Sequence, residues 1–148
     1  MNVLLDTNIL LRTSQTDHTM HKHAVDAAAL LRTGGETLCI VPQNLYEYWV
    51  VCTRPKGANG LGLSVPEAEL ELNKLADLLT VVEDTSAILP IWRKLVIQHQ
   101  VIGKNAHDTR LVAAMIVHKI ERILTFNVAD FQRYKEIVAV SPIDVLKS

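Results

Sequence analysis

The sequence predicts an α/β fold in which a parallel β-sheet is covered by helices on both faces. Three observations lead to this prediction. Short apolar runs such as Val3–Leu5 and Thr37–Val41 have the composition of strands buried on both faces. Longer segments with a helical spacing of apolar residues separate these runs. The two kinds of segment alternate, which is the order that produces parallel strands joined by crossover helices.

The first half of the chain predicts two strands and three helices. In order, these are a strand at 3–5, a helix beginning at 8–12, a helix at 18–32, a strand at 37–41 and a helix at 42–53. Gly34 and Gly35 follow the second helix, and glycines in this position stop helices. Pro42 suits the first turn of the third helix, where its missing N–H costs no hydrogen bond.

The second half predicts three more helices and three more strands, after a mobile glycine-rich loop at 54–64. Ser64 and Glu67 have the spacing of a capping box and predict the start of a helix. The predicted elements are a helix at 64–79, a strand at 80–82, a helix from 85 or 86 to 98, a helix opening at 106–110 and continuing to 118, and strands at 122–125 and 137–140.

Length and composition favour one globular domain, residues 1–148. The net charge is −1, so no overall positive field attracts nucleic acid, and such a partner would need local cations or a metal ion. No apolar run is long enough to span a bilayer, and Asp6 interrupts what could be a signal-peptide core. We therefore expect a cytoplasmic protein without a membrane partner. Cys39 and Cys52 are expected to be buried thiols.

Four acidic residues are predicted to reach the same edge of the sheet. Asp6 ends the first strand, Glu47 lies in the first two turns of the helix after the second, and Asp108 lies in the first turn of a later helix. Asn127 and Asp130 follow the next-to-last strand. In an open α/β sheet, strand ends and the N-termini of the following helices meet at the edge where ligands bind. Each acid alone has an ordinary alternative, either a helix cap or a solvated side chain.

This grouping of carboxylates predicts a divalent metal site. Clustered carboxylates repel one another and do not all stay ionised without a counter-charge. Oxygen ligands without His or Cys suit Mg²⁺ or Mn²⁺. Magnesium keeps several of its waters, which supply a nucleophile and help to hold a phosphate. The predicted chemistry is hydrolysis of a phosphodiester bond by metal-bound water.

At these residues the sequence resembles the PIN-domain nucleases, especially the small VapC-type toxins. The resemblance covers nearly the whole chain and rests on Leu5-Asp6-Thr7-Asn8, on Glu47, on the segment 108–114 and on the segment 125–131. It implies a three-layer α/β/α, Rossmann-like PIN fold and Mg²⁺- or Mn²⁺-dependent cleavage of single-stranded RNA. It also implies a homodimer and a small antitoxin protein that inhibits the enzyme.

The resemblance assigns roles to individual residues. Asp6, Glu47 and Asp108 match the family's catalytic, metal-binding acids, Asp130 is the fourth, and Asn127 is expected to bind metal through water. Five further residues are candidates for substrate contact because they are cations near these acids, or an amide beside Asp6: Arg54, Lys56, Lys104, Arg110 and Asn8. Arg110 has an alternative role in a salt bridge. The segment 56–62 is longer than expected for the smallest toxins.

Two other functions compete with a ribonuclease. A phosphatase of the haloacid-dehalogenase type also places an Asp after its first strand, but it needs a second Asp two residues later as acid and base, and that position is Asn8. The other is a PIN-like domain that binds RNA or protein without cleaving it. Such a domain should have lost acids, whereas this chain keeps four, yet a complete set of ligands does not establish turnover.

Overall fold

Five parallel strands form the centre of the molecule, in the order β3-β2-β1-β4-β5. The computed structural model describes residues 1–148. The strands are β1 (Asn2–Leu5), β2 (Thr37–Ile40), β3 (Thr80–Val81), β4 (Arg122–Leu124) and β5 (Val138–Val140). In the central strand, Leu4 lies opposite Cys39 of β2 and Ile123 of β4. β1 therefore has a partner on each side, as its continuous apolar run predicts.

Seven α-helices and two short 3₁₀ helices connect and cover the strands. They are α1 (Thr7–Ser14), α2 (His21–Thr33), α3 (Pro42–Thr53), α4 (Val65–Leu78), α5 (Ile88–Gln98), α6 (Asn105–Val117) and α7 (Pro142–Lys147), with 3₁₀ turns at Lys56–Ala58 and Val128–Phe131. No helix has the length and apolar content that crossing a membrane requires.

The helices bury two separate cores, one on each face of the sheet. Val3 and Leu5 of β1 pack with residues of α1, α2, α3, α4 and α7. Leu4, whose side chain points the other way, packs with residues of α5 and α6. Alternate residues of one strand thus supply both cores. The predicted three-layer α/β/α fold is confirmed, and Cys39 and Cys52 are buried free thiols.

Several boundaries differ from the prediction for local reasons. α2 begins at His21 instead of His18, because residues 18–20 form a turn in which the His18 Nδ1 accepts a hydrogen bond from the Met20 N–H. α5 begins at Ile88, after a turn in which the Thr85 hydroxyl accepts from the Ala87 N–H. The C-terminal helix α7 was not predicted.

The segment predicted as a mobile loop is tied back onto α3. The Leu61 and Leu63 N–H groups donate to the Val51 and Cys52 carbonyls at 2.9 and 2.8 Å. Gly60 is required in this turn, because a Cβ atom there would lie 2.0 Å from the Arg54 carbonyl oxygen. The turn therefore holds the end of α3, and with it one wall of the groove described below, in a defined position.

Candidate active site

A groove of about 950 Å³ lies at the carboxyl edge of the sheet. It contains all four predicted acids and most of their predicted companions: Asp6, Asn8, Glu47, Arg54, Lys104, Asp108, Arg110, Asn127 and Asp130. Of the ten predicted site residues, only Lys56 lies outside it. The groove is assembled from α1, α3, α6 and the segment after β4, so four separate parts of the chain meet there.

Asp6 is the most rigidly held of the acids. It is 7% exposed, and its Oδ1 accepts a hydrogen bond from the Thr7 N–H at 2.8 Å as the N-cap of α1. Its Oδ2 accepts from the Thr125 hydroxyl at 2.8 Å and from the Asn8 amide at 3.4 Å. Burial raises the pKa of Asp6 from 3.8 to about 6, although the Thr125 and Thr7 hydrogen bonds oppose this effect. Asp6 is thus both a helix cap and a carboxylate that is costly to ionise.

Asp108 lies in the first turn of α6 without capping it, because the N-cap position belongs to Lys104. Its carboxylate accepts no hydrogen bond from the protein. The pKa of Asp108 is raised from 3.8 to about 7, first by burial and then by the charges of Asp6, Asp130 and Glu47, against a smaller opposing effect of Lys104. The negative charges of Glu47 and Asp130 therefore act on both Asp6 and Asp108 across the groove.

Glu47 is half-buried in the second turn of α3 and faces the groove, as predicted. Its Oε1 accepts a hydrogen bond from the Thr7 hydroxyl at 2.8 Å, and its Oε2 accepts from the Gln43 amide at 3.3 Å. The Thr7 hydroxyl in turn accepts from the Asn44 amide at 3.2 Å. Glu47, the one charged residue of α3, is therefore supported by polar neighbours, and two of them, Thr7 and Gln43, also line the groove.

The amide side chains and the fourth acid occupy different depths. Asn8 donates to Thr125 at 3.3 Å, and its Oδ1 accepts from the Phe126 N–H at 3.3 Å, so its amide ties α1 to the segment after β4. Asn127 and Asp130 are exposed at the rim. Asp130 lies on the 3₁₀ turn, lines the same groove and acts by its charge on Asp6 and Asp108.

The predicted cations fall into three groups. Arg54, at the end of α3, and Lys104, at the start of α6, both line the groove and form no ion pair. Arg110 also lines it, but its guanidinium forms an ion pair with Asp84 at 3.1 Å and donates a hydrogen bond to the Gln43 side-chain Oε1 at 3.0 Å. This ion pair reaches a residue beyond β3. Lys56 is exposed on the first 3₁₀ turn, away from the groove.

The donor set fits a hard divalent cation that keeps much of its water. The oxygen atoms come from carboxylates and one amide, and none of the four acids forms an ion pair with a cation of the protein. No three His, Cys, Asp or Glu side chains are arranged to hold one ion directly. Mg²⁺ is usually bound by one or two carboxylates with water in the remaining positions, so this spacing suits it better than a fully protein-made cage.

The family model for the PIN domain matches residues 3–137. The chain is a member of the PIN-domain family. The match covers nearly all of the chain and includes all four acids of the groove. The resemblance stated from the sequence is therefore confirmed. No sequence among curated proteins matches the chain significantly.

Solved structures share this PIN fold at low sequence identity. VapBC2 from Rickettsia felis, bound to a DNA fragment from its promoter, has a chain with a TM-score of 0.69 and 16% identity, covering 95% of this chain and 98% of its own. DNA-bound VapBC from Salmonella typhimurium gives a TM-score of 0.69 at 18% identity, with 96% and 98% covered. VapC20 from Mycobacterium tuberculosis, a toxin that cleaves the sarcin-ricin loop, gives 0.65 at 13% identity, with 91% and 98% covered.

The PIN domain also has supporting residues that were not predicted. Thr125 holds Asp6, Thr7 holds Glu47, and Gln43 joins Glu47 to α6. Two of these left a signal in the sequence. Thr125 follows β4 directly, as Asp6 follows β1, and Gln43 precedes Glu47 by four residues, which puts the two on one helix face. Thr7 lies beside Asp6 but gives no sign of its partner, which is 40 residues away.

Proposed function

We propose that this PIN domain is a Mg²⁺- or Mn²⁺-dependent endoribonuclease that hydrolyses phosphodiester bonds of single-stranded RNA. The observation that carries the proposal is the groove in which four carboxylates gather without an ion pair to a cation, and in which burial and the neighbouring acids raise the pKa values of Asp6 and Asp108. Such an arrangement is destabilising by itself and becomes favourable when a divalent cation binds. Membership of the PIN family and the likeness in fold to VapC20, a toxin that cleaves the sarcin-ricin loop, support the same function.

Each residue of the groove has a role in the proposed reaction. Asp6 and Asp108 would hold the cation directly, with Glu47 and Asp130 beside it and Asn127 in contact through water. When bound, the cation supplies an activated water and neutralises charge on the phosphate. The protein's own contribution is orientation, because Thr7 and Thr125 hold Asp6 while Thr7 and Gln43 hold Glu47.

The substrate would lie along the groove, in contact with its cations. Arg54 and Lys104 line the groove and are free of ion pairs, so both are available to bind the phosphates of an RNA backbone that crosses the acids. Two phosphate contacts of this kind would give the local attraction that a chain of net charge −1 lacks overall. Asn8 and Arg110, which are already hydrogen-bonded within the protein, would lie at the sides of the substrate path.

We further propose that the enzyme is the toxin of a toxin–antitoxin pair and works in the cytoplasm. The structures with the same fold include VapBC complexes. On the outer wall of the groove, Tyr46 and Val50 are 65% and 53% exposed, one turn apart on α3. Apolar side chains beside an acidic groove suit a protein partner that covers the site, such as a small antitoxin. A homodimer is the proposed state of the toxin itself.

A metal titration with defined nucleic acids tests the proposed reaction. The metal-free protein should leave single-stranded RNA intact, and Mg²⁺ or Mn²⁺ should restore cleavage, whereas DNA of the same sequence should remain uncut. EDTA should abolish the activity. If the protein binds Mn²⁺ and RNA but cleaves neither RNA nor DNA, the domain is a binding module and the proposed enzyme is wrong.

A further inference from the structure

We propose that Gln43 is a positioning residue that fixes Glu47 relative to the first turn of α6, and so relative to Asp108. Gln43 is 6% exposed in the first turn of α3, on the groove floor. A glutamine buried to this extent needs partners for its amide, and their identity reveals its role. The inference rests on the proposed metal site, because it assigns how two of the acids are held for the cation.

The amide of Gln43 uses both of its ends to join α3 and α6. Its Nε2 donates to the Glu47 Oε2 at 3.3 Å and to the His107 carbonyl oxygen at 2.8 Å. Its Oε1 accepts from the Arg110 guanidinium at 3.0 Å. A carbonyl can only accept and a guanidinium can only donate, so these two partners determine which way the amide faces. The donor end is therefore always presented to Glu47.

The partners of Gln43 lie on both sides of Asp108. His107 precedes Asp108 and Arg110 follows it by two residues, so Gln43 holds the turn that carries Asp108 at two points. Arg110 is itself held by Asp84 at 3.1 Å. On the other side, Glu47 is held by Thr7, whose N–H donates to the Asp6 carboxylate. A continuous set of hydrogen bonds thus runs from Asp6 through Glu47 and Gln43 to the helix turn of Asp108.

This arrangement resists the repulsion that would otherwise separate the acids. Glu47 and Asp108 are both anionic when metal binds, and without a tie α3 and α6 could move apart at their N-terminal ends. Hydrogen-bonding partners that orient metal ligands typically contribute about 10–100-fold to metal affinity or activity. We expect the loss of Gln43 to produce an effect of that size.

The test measures Mn²⁺ binding to the full-length, RNA-free protein by titration calorimetry. Gln43→Met keeps the length of the side chain and removes all three hydrogen bonds, so Mn²⁺ should bind about 10–100-fold more weakly than to the wild type. Gln43→Asn keeps a buried amide but is one methylene shorter, and it should also bind Mn²⁺ more weakly than the wild type. This variant provides the test if Gln43→Met does not fold. Thr53→Val removes a side-chain hydrogen bond to the Trp49 carbonyl near the other end of α3 and should bind Mn²⁺ as the wild type does.

A double-mutant cycle separates positioning from general damage to the fold. If Gln43 acts through Glu47, adding Gln43→Met to Glu47→Gln should weaken Mn²⁺ binding by less than about twofold further. Losses that multiply in the double variant, or unchanged Mn²⁺ affinity in Gln43→Met, would overturn the proposal. Crystal structures of the metal-free variants give a readout that needs neither metal nor RNA. Glu47 should leave Thr7 or α6 should shift in Gln43→Met, and an unmoved pair would also refute the role.

These measurements keep the two proposals apart. If the wild type cleaves no RNA but Gln43→Met shows the predicted loss of Mn²⁺ binding and displaced Glu47, the positioning role stands and the ribonuclease proposal fails. If RNA is cleaved and Gln43→Met matches the wild type in metal affinity and structure, the ribonuclease proposal stands and the positioning role fails.

Discussion

The two edges of the β-sheet hold carboxylates in opposite electrostatic settings. At the amino edge, Glu36 lies 3.4 Å from the N-terminal ammonium group and 3.4 Å from the Arg122 guanidinium. This carboxylate bridges the residue before β1 to β4, and the two cations balance its charge. At the carboxyl edge, burial and mutual repulsion raise the pKa of Asp6 to about 6 and of Asp108 to about 7, with no ion pair to offset them.

The difference indicates which acids serve the fold and which serve a ligand. A carboxylate that only stabilises structure gains from nearby cations or hydrogen-bond donors, and Glu36 has two cations. Asp108 has neither a hydrogen bond nor an ion pair within the protein, and it is surrounded by other acids. Perturbed acids of this kind are typical of functional sites. The comparison predicts two experimental differences between the two edges, and a third prediction concerns the cations beside the acids of the carboxyl edge.

The largest expected effect is the loss of cleavage in Asp108→Asn. Removing a direct metal ligand should reduce Mg²⁺-dependent RNA cleavage by more than the roughly 10–100-fold typical of a lost supporting residue. The metal-free melting temperature should stay level or rise, because repulsion with Asp6, Glu47 and Asp130 is relieved. Glu36→Gln at the opposite edge is the control and should keep full activity. An unfolded Asp108→Asn protein would mean that the residue serves the fold instead.

The second expected effect is that the stability of the metal-free protein depends on pH through the ionisation of Asp6. Because the folded-state pKa of Asp6 is raised, its stabilising contribution is complete below about pH 3.8 and is lost as the pH rises through about 6. The rise from 3.8 to about 6 corresponds to about 3 kcal/mol. Asp108 adds a further loss as the pH passes about 7.

Urea unfolding in EDTA between pH 4.5 and 8 measures this effect. The free energy of unfolding of Asp6→Asn should decline less steeply over this range than that of the wild type. Asn can still cap α1 and can donate to the Thr125 hydroxyl. Glu36→Gln should lower stability by only about 0–1 kcal/mol and leave the pH slope unchanged. Equal slopes for Asp6→Asn and the wild type would contradict the raised pKa described for Asp6.

The smallest expected effect concerns the salt dependence of RNA binding. For single strands, log affinity falls by about 0.7 per phosphate contact for each log unit of salt. Binding measured in Ca²⁺, to limit cleavage, should lose about 0.7 of slope in Arg54→Gln and a similar amount in Lys104→Gln. Lys56→Gln is the matched control, since this cation lies outside the groove. A reduced slope in Lys56→Gln alone would place the RNA path over the 3₁₀ turn instead.

Local sequence rules were sufficient for much of this molecule. Apolar runs predicted all five strands, and helical spacing predicted six of the seven helices. This was possible because the order of apolar and polar residues within a short segment reflects which of its residues are buried. The helix α7 was missed although Ser141 and Asp144 form the same capping box that marked α4. With only six residues, it has too few apolar positions to show a helical period, and its packing against the core through Val145 defines it.

The grouping of the acids also followed from the sequence, whereas their supports came only from the tertiary structure. In a parallel sheet with crossover helices, strand ends and helix N-termini share one edge, so Asp6, Glu47 and Asp108 were predictable from order alone. Their hydrogen-bond partners obey no such rule. Thr125 reaches Asp6 across 119 residues, and Gln43 reaches the His107 carbonyl across 64. The same long-range packing decided that Arg110 pairs with Asp84 and that Lys56 lies outside the groove, because side-chain partners depend on distances between elements that no local pattern encodes.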